Sequence, residues 1–126
     1  MRIATLIVRI LLGLVFAIFG LNGFLHFLPN PPMPAAAGQF FGALFATGYM
    51  IPLLFATQVI GGILLLIGVF VPFALVILAP VVVNIFFFHL FLDPGEIPLA
   101  IVVVIFELFL AWRHSAAFAP LFRTAG

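Results

Sequence analysis

The sequence predicts an all-α integral membrane protein, a four-helix transmembrane bundle with a short interfacial helix between helices one and two. Composition is the first reason. The chain has 126 residues, 67% of them hydrophobic and 6% charged, whereas a soluble domain averages about 45–50% apolar and roughly 25% charged. Phenylalanine is the second: 18 Phe residues suit a surface facing lipid and would be hard to hide from water. Length is the third. A hydrocarbon core of about 30 Å needs roughly 20 helical residues, and four apolar runs supply them.

The first span is expected over residues 3–28, stopped by Pro29, Asn30, Pro31 and Pro32, since proline bars helix continuation. Its apolar run exceeds that of a cleavable signal, and no Ala-x-Ala-like site follows at the right distance. Residues 31–50 are apolar but broken by Pro34, Gly38, Gly42 and Gly48. They predict a short helix near Ala35 to Phe45, lying in the interface or dipping into the mouth of the bundle. The second span is expected over 52–70, ended by Gly68 and Pro72. The third covers 73–92, with Pro80 as a kink site, and Asp93-Pro94-Gly95 ends it. The fourth covers 98–114, with Pro98 in its first turn. All four are read as one domain, residues 1–126. The stretches Gly13 to Gly20 and Gly61 to Gly68 are expected at close helix contacts, because small residues let membrane helices approach.

Orientation follows from the arginines. With four spans, Arg2, Arg9, Arg113 and Arg123, all the Lys and Arg of the chain, gather at one end. The positive-inside rule makes that end cytoplasmic and puts both termini there, in a bacterial inner membrane. Trp112 and Tyr49 are expected as anchors at the two interfaces. A net charge of +1 with no basic run argues against nucleic acid as a partner. With no cysteine in the chain, disulfides, thiolate catalysis and Cys-ligated metal sites are excluded.

Polar side chains inside spans usually face the bundle interior, and here they form two layers. Near the terminal end stand Arg9 and Glu107, each roughly 10 Å deep at 1.5 Å per residue. An ion pair between them, direct or through water, is expected as a structural link. Toward the other end stand Asn22, Gln58 and Asn84, with His26 and His89 nearer the surface. Asn22 and His26, four apart, share a helix face. These five residues either cross-link helices or line a pocket that hydrogen-bonds a small apolar ligand. A haem held between His26 and His89 and an iron site completed by Asp93 or Glu96 are less favoured, so no metal site is assigned. No nucleophile–base constellation stands out, and no catalytic residue is assigned.

Two segments carry a family resemblance. Arg9-x3-Gly13-x2-Phe16-x3-Gly20 and Gln58-x2-Gly61-Gly62-x-Leu64-Leu65-x2-Gly68 resemble the helix-one and helix-two patterns of the DoxX family of small bacterial membrane proteins. The resemblance implies a four-helix bundle and an association with redox processes. Some relatives are a subunit of a thiosulfate:quinone oxidoreductase, and others belong to membrane-anchored oxidative-stress complexes. Many members have a lysine where this chain has Gly23 and an acid where it has Gln58, so any site built on that pair is altered here. The expected function is that of an accessory subunit of a membrane redox or oxidative-stress system with a quinone-sized pocket. The cofactor is otherwise undefined, and lipid and other redox subunits are the expected partners, with homo-oligomers allowed. The alternatives are a quinone-linked oxidoreductase subunit and a small transporter or channel.

Overall fold

The computed structural model describes residues 2–27 and 33–124. Among these no strand occurs, and four helices are long and apolar enough to cross a membrane: α1 (Arg2–Leu25), α3 (Met50–Ile67), α4 (Val71–Phe91) and α5 (Ile97–Arg113), the last preceded by a 3₁₀ turn over Pro94–Glu96. Between the first two lies α2 (Ala35–Ala46), and a single turn, α6 (Ser115–Phe118), follows α5. The all-α bundle with its short intervening helix is therefore as the composition and periodicity require.

Boundaries differ from the expected ones by one to three residues, for local reasons. α1 stops at Leu25, and His26 takes a left-handed conformation with φ 55°, so the first span is shorter than its apolar run. The expected stop at Leu28 and Pro29–Pro32 lies outside the described residues. α3 and α4 start two residues early, because Pro52 and Pro72 are accommodated in first turns, where a missing N–H costs nothing. The hydroxyl oxygen of Thr47 accepts the Met50 N–H at 3.0 Å, satisfying one orphan donor at the start of α3. Pro80 lies inside α4 and deprives the Val76 carbonyl of its helical donor.

The helices form a closed ring in the order α1, α3, α4, α5, with α1 lying most intimately on α3. Glycine makes that approach. A Cβ on Gly62 would stand 2.5 Å from the Ala17 nitrogen, and one on Gly13 would stand 2.9 Å from the Gly62 carbonyl oxygen. Gly20 fits against Val59 in the same way, whereas Gly61 turns to the other side and receives Leu78 of α4. The two glycine stretches are thus helix contacts, as expected from their spacing.

The turn from α3 to α4 needs Gly68, whose φ is 75°; there a Cβ would also meet the Arg9 guanidinium, with Nη1 at 2.5 Å. Phe16, Leu12, Leu65, Leu75, Leu78 and Leu110 are fully buried and fill the middle of the ring. Only 22–33% of each span is buried, so most of every helix surface is left for lipid. Tyr49 and Trp112 are both exposed, near opposite ends.

Candidate functional site: a cavity in the half away from the termini

Below α2 side chains do not fill the ring. A cavity of about 340 Å³ lies between α1, α3, α4 and α5, with Phe16, Phe55, Phe88 and Val103 among its walls. Gln58, His89, Asp93 and Glu96 bring the polar atoms. A second space of about 120 Å³ shares Gln58, His89, Phe41, Phe55, Ile85 and Phe88 with it and adds Asn84. The two spaces together form one site, and volume and walls both suit a small ring-bearing ligand.

Gln58 is the polar centre. It is 7% exposed in the middle of α3, and no hydrogen bond to a described residue engages its side chain. A buried carboxamide carries two N–H donors and a carbonyl acceptor, and leaving them unmet is costly, so the amide is set for a ligand or water. On α4 the His89 ring packs on Phe88, with centroids 5.2 Å apart, and its Nδ1 is buried without a hydrogen-bond partner. Asp93 and Glu96 belong to the linker after α4, where a helical turn and a 3₁₀ turn bring them to the rim.

The roof comes from α2. Phe41 stands edge-on to Phe88 at 5.1 Å, and Phe40 lies 5.6 Å from the same ring. These T-shaped and tilted contacts are the favoured geometry for aromatic pairs. They tie a helix of 12 residues, too short to span, to the bundle.

Of the five expected pocket residues, Gln58 and His89 share the cavity, and Asn84 joins them through the smaller space. Asn84 is exposed on α4 rather than turned inward. Asn22 is half-buried on α1, and neither it nor His26 lines either space. His26 follows the end of α1 with a left-handed backbone and is exposed, while its N–H still donates to the Asn22 carbonyl oxygen at 2.8 Å. Among the described residues no three His, Asp or Glu side chains gather as a metal-holding group.

The expected Arg9–Glu107 pair also needs correction. Arg9 Nε and Glu107 Oε1 are both buried without a hydrogen-bond partner, and the two residues line separate clefts. The Arg9 guanidinium lies against Gly68 at the terminal end, where the missing Cβ makes room. Glu107 is 7% exposed and lies in an apolar groove between α4 and α5, among Val83, Phe87 and Leu108.

Sequence reasoning missed Asp93 and Glu96 as rim residues, and the Phe40–Phe41–Phe88 roof. One signal for Asp93 was available: it follows His89 by four residues, one helical turn on.

Four spans ringed around a polar-centred cavity define a multi-pass helical membrane protein with a small-molecule-sized site. The DoxX family model matches residues 4–91, from the start of α1 to the end of α4. The chain belongs to the DoxX family. No curated protein and no solved structure matches it. Gly23 is covered by the Phe55 ring, which fills the space a side chain would take. That ring and Gln58 line the same cavity.

Proposed function

We propose that this DoxX protein is an accessory subunit of a membrane redox or oxidative-stress system that holds a flat apolar ligand of the quinone class in the cavity. The carrying observation is Gln58: a buried carboxamide, unengaged by any described residue, in a cavity of about 340 Å³ walled by Phe16, Phe55 and Phe88. A quinone ring offers carbonyl oxygens that accept and no donor of its own. The Gln58 N–H groups and a His89 ring N–H supply the donors, and the phenylalanines supply stacking surface. The gathering of the arginines at one end supports an inner-membrane orientation with both termini in the cytoplasm and the cavity toward the outer leaflet.

The test is titration of purified protein in detergent with a short-chain quinone, followed by calorimetry. Gln58→Leu and His89→Phe should each weaken binding by roughly tenfold, the worth of one hydrogen bond to a buried group. Gln58→Leu should leave thermal stability unchanged or raised, since an unmet polar group is replaced by an apolar one. Asn84→Leu should weaken binding less, because Asn84 is exposed and lines only the smaller space. Equal affinity in wild type and both cavity variants, or no binding by wild type, refutes the reading.

A further inference from the structure

The opposite end of the bundle holds a second cleft, unrelated to the cavity under α2. It measures about 400 Å³ and is lined by Arg2, Thr5, Leu6, Arg9, Arg113 and His114. Three of the chain's four basic residues thus converge on one space, and no Asp or Glu lines it. Like charges so gathered repel unless an anion joins them.

The geometry is that of a built site rather than a set of solvated ends. Arg9 stands two turns into α1, about 10 Å from Arg2 along the axis, and its Nε is buried without a partner. Its guanidinium is wedged against Gly68, where any side chain would collide with it. Arg113 is held from α5 by donating its Nε–H to the Thr5 hydroxyl at 3.0 Å, and its guanidinium lies 5.7 Å from the centre of the Trp112 ring. The His114 ring donates through Nδ1 to the Leu110 carbonyl oxygen at 2.9 Å. Two helices therefore present forked, pre-oriented donors to one opening at the ends of two spans, where lipid headgroups lie.

We propose that this cleft binds an anionic phosphate group, supplied by the headgroup of an acidic phospholipid or by free phosphate. Guanidinium groups match phosphate oxygens two at a time. A diester entering from the interface meets Arg2 and Arg113 first, and Arg9 reaches it from below. The occupied cleft clamps α1 to α5, the helix pair that closes the ring, so the ligand acts as a fastener of the bundle. The inference does not rest on the quinone reading: the two sites share no residue, and either can fail alone.

Native mass spectrometry of delipidated protein, supplied with equal phosphatidylglycerol and phosphatidylcholine of the same acyl chains, tests it. The anionic lipid should be retained about tenfold or more over the zwitterionic one. Arg9→Gln and Arg113→Gln should each abolish most of that preference, while Arg123→Gln, outside the cleft, should keep it. The wild-type preference needs no variant to fold, so it stands as a separate measurement. In parallel, inorganic phosphate is titrated into a thermal melt. Stabilisation of wild type but not of Arg9→Gln, without lipid preference, would make free phosphate the source and still support the site. Equal retention of both lipids with no response to phosphate overturns the proposal. So does loss of preference in Arg123→Gln as large as in Arg9→Gln.

Discussion

At the scale of single residues, glycine and two polar groups within the spans, Arg9 and Glu107, set the terms. Gly62 admits Ala17 of α1 so closely that Gly62→Val must push α1 and α3 apart, for the new Cβ alone would sit 2.5 Å from a backbone nitrogen. Forced overpacking of this kind costs about 1–3 kcal/mol, readable as a lower unfolding midpoint in a detergent titration. Gly38→Ala is the control: nothing lies within 4 Å of its Cβ, and alanine is the better helix former, so stability should hold or rise. Arg9 and Glu107 give a second residue-scale prediction. Because they line separate clefts, the effects of Arg9→Leu and Glu107→Gln on the unfolding midpoint should add within about 0.5 kcal/mol, the ordinary limit for uncoupled sites. A larger coupling in the double variant would reveal a link through water.

At the scale of elements, α2 and its roof matter most. Phe88 is 9% exposed and touches both Phe40 and Phe41, so it is an apolar hold of the bundle on α2 beside the α2–α3 contact. Phe88→Ala should destabilise the fold by about 3 kcal/mol, the low end for truncating a packed aromatic. It should also speed amide exchange over residues 35–46 more than in α1 or α3. Unchanged exchange there would mean that α2 is held by other contacts.

The elements also show what was legible beforehand. Spans were readable because apolar runs are bounded by Pro52, Pro72 and Pro98, and each of these marks a first turn. The α1–α3 contact was readable because Gly13, Gly20 and Gly62 recur at helical spacings. The roof was not: in a chain with 18 Phe residues, no composition signal separates Phe41 and Phe88 from those facing lipid. Gln58 and His89 could be placed in a polar layer, but depth alone does not give rotation about the helix axis. Rotation decides which of these side chains reach the cavity: Gln58 and His89 line it, and Asn22 does not. At His26 the backbone departs from the helix at φ 55°, which leaves no mark in an apolar run.

For the whole molecule, orientation is open to a direct measurement that the sequence makes easy. The chain contains no cysteine, so a single introduced thiol reports alone. Thr124→Cys, at the terminal end, should resist a membrane-impermeant maleimide added to intact spheroplasts and react after lysis. Glu96→Cys, on the linker before α5, should react in intact spheroplasts. The reverse pattern would invert the assignment of both termini.

The spans are unequal in reach. At 1.5 Å per residue, the 24 residues of α1 extend roughly 36 Å, whereas the 18 of α3 extend roughly 27 Å, although the two are packed side by side. A bilayer that matches α3 leaves α1 to lean or to protrude, and one that matches α1 strands the ends of α3 in hydrocarbon. Thin membranes should therefore suit this bundle best. Lengthening the acyl chains of a reconstituted bilayer should strain the α3–α4 turn at Gly68, coupling membrane thickness to the cleft where Arg9 lies.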